Sequence, residues 1–145
     1  MSNSDNPRKG AEFQEMVRQW FADQYKTDFE LEKKIPIGFK TKKDHKFDVV
    51  SKDRDIVVEC KRYTWTAIGN VPSAKMGFLN EAAFYLSFLP NDCKKFIVMY
   101  RSVHPKHPDE TLAEYYVRMN GHLLKNTIVA EYDPATKVFV EIHNE

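Results

Sequence analysis

From Gly10 to Tyr25 the apolar residues Phe13, Met16, Val17, Trp20 and Phe21 recur three and four apart, the spacing of one helical face. Residues 33–39 and 46–51 read as short strands separated by a lysine-rich turn over 40–45. Residues 56–62, Ile-Val-Val-Glu-Cys-Lys-Arg, are rich in β-branched side chains and predict a third strand. Pro72 and Ser73 mark the start of a second helix that runs to about Phe88 and stops near Pro90. That helix is apolar on most of its surface, which predicts deep burial. A fourth strand spans Phe96 to Arg101, and a third helix begins at Asp109 and ends at Gly121. Strands over 127–132 and 136–142 follow, joined by a turn at Asp133-Pro134-Ala135.

The element order is α-β-β-β-α-β followed by α-β-β. Neighbouring strands mixed with helical crossovers predict an α/β fold, a mixed central sheet flanked by helices. A chain of 145 residues, 42% hydrophobic and 13% aromatic, suffices for one packed core. The polar residues 1–8 are expected to be a flexible N-terminus, and 9–145 a single domain. No apolar run approaches membrane-spanning length, and the N-terminus carries no apolar signal core. Cys60 and Cys93 make neither a disulfide framework nor a zinc site, which fits a reduced, cytoplasmic compartment.

The formal net charge of +1 says little, but its distribution says more. Residues 33–46 hold Lys33, Lys34, Lys40, Lys42, Lys43 and Lys46 against Asp44 alone. Residues 108–145 hold seven acids against Arg118, Lys125 and Lys137. A basic face toward phosphates and an acidic face away from them would account for the asymmetry. A solvated lysine loop would account for the first segment equally well.

The informative stretch is Phe47-Asp48-Val49-Val50 and then Glu59-Cys60-Lys61. Strand residues two apart share a face, so Glu59 and Lys61 point the same way. A hairpin closed by the loop 52–55 pairs Ser51 with Ile56 and Val50 with Val57, bringing Asp48 opposite Glu59. One register therefore assembles Asp48, Glu59 and Lys61, and a one-residue slip destroys the cluster. Facing carboxylates repel unless a cation or proton lies between them. Oxygen donors of this kind suit Mg²⁺ or Mn²⁺, with the backbone carbonyl of Cys60 as a further ligand. Charges on an exposed strand face are the structural alternative.

Asp48, ten intervening residues and then Glu59-x-Lys61 resemble the PD-(D/E)xK, or restriction-endonuclease-like, nuclease superfamily. Its αβββαβ core matches the order read over residues 10–101, leaving α-β-β as a C-terminal extension. The resemblance implies that Asp48 and Glu59 bind a divalent metal and that Lys61 positions or activates the attacking water. Phe47 stands where the family motif has proline. Many members, the similarly small Holliday-junction resolvases among them, carry a metal-binding Glu four residues after a Gly on the first helix. Here Gln14 holds that position after Gly10, between Glu12 and Glu15. Glu12 lies on the border of the apolar face and is the acid expected near the site, with Gln14 the other candidate. As a first-turn charge, Glu12 would instead favour the helix dipole.

For nucleic-acid contact the candidates are Lys40, Lys42 and Lys43 in the turn, Arg62 on phosphate, Tyr63 and Trp65 on a base or sugar, and Lys75 early in the second helix. Aromatics after a strand also serve as core edge. The expected function is Mg²⁺- or Mn²⁺-dependent hydrolysis of DNA phosphodiesters, selective for structure or weakly for sequence. RNA stays open, since nothing here reads a 2′-hydroxyl. A homodimer would let two sites cut two strands. The competing expectation is a catalytically inactive domain of the same fold that binds nucleic acid or a partner.

Overall fold

A computed structural model describes residues 7–143, so residues 1–6 of the expected flexible N-terminus lie outside it. Ten elements follow: α1 (Pro7–Tyr25), β1 (Phe29–Ile37), β2 (Lys43–Ser51), β3 (Ile56–Lys61), α2 (Ser73–Leu86), β4 (Lys94–Tyr100), α3 (Leu112–Asn120), a 3₁₀ turn (Gly121–Leu123), β5 (Thr127–Asp133) and β6 (Val138–Ile142). Pro7 and Arg8, expected in the mobile tail, open α1 instead, where the fixed φ of proline suits a first turn.

The six strands form one mixed sheet in the order β1-β2-β3-β4-β5-β6. The first two pairings are antiparallel, β3–β4 and β4–β5 are parallel, and β5–β6 is antiparallel. Each parallel pairing is bridged by a helix, α2 for the first and α3 for the second, as parallel strands require. Phe13, Val17 and Phe21 of α1 pack with Val49, Val58, Phe96 and Val98 on one face of the sheet. Leu79, Ala83 and Leu86 of α2, with Leu112, Tyr116 and Val117 of α3, pack with Val50, Val57, Ile97 and Met99 on the other. The result is an α/β fold with a mixed sheet between helices. No helix among the described residues is long and apolar enough to cross a membrane.

Three expectations change. The first hairpin is longer than expected, β1 starting at Phe29 and β2 at Lys43, with the turn shortened to 38–42. β1 lies at an edge of the sheet, and its Glu and Lys side chains and Pro36 hide a strand that an edge tolerates. The third helix starts at Leu112, because Thr111 accepts the Glu114 N–H while Glu114 accepts the Thr111 N–H. That reciprocal box satisfies two helix-end donors, which Asp109 could not do. Finally, α2 is not deeply buried all round: Phe78 and Phe84 on its outer side are 47% and 62% exposed.

Candidate active site

The site begins with a fault in β2. Val50 and Val57 face the α2 side of the sheet, while Val49 and Val58 face α1. Strict alternation would send Phe47 with Val49 toward α1. Phe47 instead packs under α2, together with Ile35 and Ile37. The faces exchange at Glu32 and Asp48, which the β1–β2 ladder passes over between Leu31–Val49 and Lys33–Phe47. Glu32 adopts a φ of 52°, left-handed backbone that a side chain seldom takes.

The β2–β3 ladder runs through Val50–Val57 and Val49–Val58 and ends there, the register inferred from the sequence. Beyond it, the Cys60 N–H donates to Asp48 Oδ2 at 2.7 Å. The Asp48 side chain thus replaces a backbone acceptor at the point where the strands part. In an antiparallel pair a residue's N–H and C=O point to the same neighbour, so the Cys60 carbonyl faces this opening too.

Asp48, Glu59 and Lys61 line one cleft of about 210 Å³. Phe78, Glu81, Ala82 and Tyr85 of α2 form its wall, and His45, Lys46 and Tyr63 complete it. Glu59 is only 4% exposed. His45 Nε2 lies 3.2 Å from Glu59 Oε1, its ring stacked on Tyr85 at 3.9 Å between centroids and edge-on to Phe47. Burial, then the charge of Asp48 and a hydrogen bond to it, push the Glu59 carboxyl up to about 10 against the pull of Lys61. Burial also lowers His45, so at neutral pH its ring is uncharged. Burial works to lower Lys61, but Tyr63, Glu59 and Asp48 prevail and hold it above the ordinary lysine value. At neutral pH the cleft therefore holds an ammonium beside a protonated carboxyl.

Among the described residues, no three His, Cys, Asp or Glu side chains gather to hold a metal by themselves. Mg²⁺, however, commonly takes one or two carboxylates and completes its shell with water and substrate oxygens. Asp48 and Glu59 fit that donor set, with the Cys60 carbonyl facing the same opening. Burial and the charge of Asp48 raise the Glu59 carboxyl, and a cation between the two groups would relieve that repulsion.

The other expected residues divide. Tyr63 lines the cleft, and the Lys75 ammonium lies over the Tyr63 and Phe78 rings at 5.4 and 5.7 Å. Lys40 and Lys42 are exposed on the hairpin turn and Lys43 opens β2. Glu12 and Gln14 do not join the cleft, because α1 covers the opposite face of the sheet. Glu12 pairs with Arg8 and borders a separate hollow of about 200 Å³. Arg62 points to that same far side, its guanidinium 4.3 Å over the Tyr100 ring, as its even spacing from Cys60 dictates. Trp65 is core edge, packed on His104 and Tyr115.

A larger hollow of about 600 Å³ lies beside α3, bordered by Trp65, His104, Glu110 and Arg118. His104, Glu110 and Arg118 in it are already committed. His104 Nε2 lies 2.8 Å from the Gly69 carbonyl and Nδ1 accepts two backbone N–H groups, while Arg118 holds Glu110 through two bonds.

His45, Glu81 and Tyr85 line the cleft, although none is among the site residues expected from the sequence. An odd separation places His45 and Asp48 on opposite faces of a regular strand, and only the exchange at Asp48 unites them. The paired carboxylates and the helix spacing of Phe78, Glu81, Ala82 and Tyr85 were the available signals. Comparison of the chain with family models, with curated proteins and with solved structures finds no match.

Proposed function

We propose that the protein is a divalent-metal-dependent nuclease of the PD-(D/E)xK kind, hydrolysing DNA phosphodiester bonds. The observation that carries this reading is the convergence of Asp48, Glu59 and Lys61 in one cleft, with Glu59 buried and pushed up to about 10. Asp48 and Glu59 would hold Mg²⁺ or Mn²⁺, aided by the Cys60 carbonyl. When bound, the ion supplies Lewis-acid polarisation of the phosphodiester and charge neutralisation at the departing oxygen. Lys61, an ammonium at neutral pH, donates hydrogen bonds and cannot accept a proton. Its role is to orient the attacking water and offset charge growing on the phosphorane-like transition state. His45, uncharged, donates to Glu59 once that carboxyl ionises, fixing the carboxylate plane.

Lys61→Ala tests the assignment against labelled DNA with Mg²⁺, Mn²⁺ or chelator. Cleavage by the wild type falls by at least about 10²-fold in the variant, while circular dichroism stays native. Turnover retained in the variant, or an unfolded variant, overturns the role given to Lys61. A second reading is a non-catalytic nucleic-acid-binding domain. It draws support from α1, which brings no acid to the cleft. Binding without cleavage of any substrate by the wild-type chain distinguishes it.

A further inference from the structure

The outer side of α2 carries more aromatic surface than a core helix requires. Phe84 is 62% exposed and Phe78 47%, although the helix stands beside the cleft. Phe84 meets Phe88 edge-on at 5.1 Å between centroids, and Phe88 meets Phe39 of the hairpin turn at 5.3 Å. Phe39 is 85% exposed. Ring contacts thus link Phe84 through Phe88 to Phe39 at the hairpin tip, and Phe78 stands on the same helix at the cleft wall. By helix rise Phe78 and Phe84 stand about 9 Å apart along α2.

Cations flank both ends. Lys75 lies over the Phe78 ring at one end, and Lys40, Lys42 and Lys43 stand around Phe39 in sequence at the other. Glu81 lies at the cleft beside Asp48 and Glu59, where a divalent cation would offset it, and Asp44 at the hairpin end is outnumbered by Lys40, Lys42 and Lys43. Exposed rings bounded by lysines form a stacking platform inside a positive track, the arrangement that binds unpaired nucleic-acid strands. Paired bases hide their faces in the duplex stack and give such rings nothing to stack on. A second copy of the chain fits less well. A two-fold contact sets the same patch against itself and brings lysines onto lysines, whereas a polyanion brings opposite charge.

We propose that the ridge Phe78–Phe84–Phe88–Phe39 binds an unpaired DNA strand and leads it to the cleft, making single-stranded or branched DNA the preferred substrate class. This deepens the nuclease reading and rests on it, yet its test needs no cleavage. Binding of a fluorescent oligothymidylate and of a blunt duplex is measured in EDTA and again with Ca²⁺. Phe84→Ala and Phe39→Ala, both at largely exposed positions, each weaken single-strand binding roughly 5- to 150-fold and leave duplex binding within a factor of two or so. Phe84→Trp restores the single-strand affinity, which a loss of folding would not allow.

Unchanged single-strand binding in both alanine variants overturns the inference, as do equal losses on both substrates. Conversion of a sedimenting dimer to monomer by Phe84→Ala, with DNA binding intact, assigns the ridge to self-association and overturns it too. Duplex cleavage that survives any of these results leaves the nuclease reading standing. Absence of cleavage on every substrate removes that reading without touching the binding result.

Discussion

Glu59 concentrates the chemistry of the cleft in one proton. Its carboxyl is pushed up to about 10, first by burial and then by Asp48, whereas in the unfolded chain it ionises near the ordinary 4.5. The folded metal-free protein thus binds a proton that the unfolded chain gives up. That contribution to stability is complete below about pH 4.5 and is lost as the pH climbs toward 10. Thermal melts in EDTA should show a falling midpoint from pH 7 to pH 9, above the window in which His45, lowered by burial, gives a slope of the opposite sign, each kcal/mol appearing as roughly 2–4 °C in a domain of this size. Glu131, raised chiefly by burial, adds a slope of the same sign. Glu59→Gln, which keeps the shape of the protonated acid, should flatten the Glu59 share. An identical pH slope in wild type and variant would show that Glu59 ionises normally and that the cleft lacks the field described for it.

Among the elements, the β1–β2 hairpin carries the exposed lysines that the proposed function would set against a phosphate backbone. Lys33 pairs with Glu30 and Lys46 with Glu32, so part of the lysine run is already balanced. Lys40, Lys42 and Lys43 are exposed and carry the remainder. Replacing these three with Ala should flatten the slope of log affinity against log salt by up to about three units on duplex and about two on single strands. The loss should be alike for all sequences, because phosphate contacts position DNA without reading it. An unchanged slope returns the turn to a solvated loop. The same hairpin shows where sequence was legible. The pairing of Val50 with Val57 followed from a four-residue loop and an apolar pattern, and with it came Asp48, Glu59 and Lys61. The face exchange at Glu32 and Asp48 left no such trace, since period-two reasoning has no place for a left-handed glutamate. Arg62 lies away from the cleft for a simpler cause: its parity with Cys60 puts it on the α1 side, and the aromatic-rich context gives no sign of that. Glu12 was drawn toward the site by its helix border, but nothing in α1 says which face of the sheet the helix will cover.

For the whole molecule, the proposed metal site would couple ion binding to folding stability. A cation that binds only the folded state adds about 2.7 kcal/mol at a hundred times its dissociation constant, a rise in melting temperature of roughly 5–10 °C. Mg²⁺ or Mn²⁺ should produce that rise in the wild type, more strongly at pH 8 than at pH 6, because Glu59 must release its proton first. Asp48→Asn should remove most of it. Asn can still accept from the Cys60 N–H through its amide oxygen, while loss of its charge should lower the Glu59 carboxyl toward the ordinary range and take a counter-charge from Lys61. Equal metal-induced rises in both proteins would exclude Asp48 as a ligand.

The strict sequential order of the sheet has a consequence for the chain as it is made. Every strand pairs only with its neighbours in sequence, so no strand waits for a later one to find its place, and loop-closure entropy stays small. On the ribosome the first hairpin can zip as soon as Ser51 has emerged. Asp48, Glu59, Lys61 and the whole α2 wall are in place once β4 has been translated. The growing sheet then ends at β4, a strand whose open edge would recruit neighbouring nascent chains. Translation of α3, β5 and β6 covers β4 and moves the open edge out to β6, so the last third of the polypeptide, whose described residues stay out of the cleft, is the part that makes an interior strand of β4.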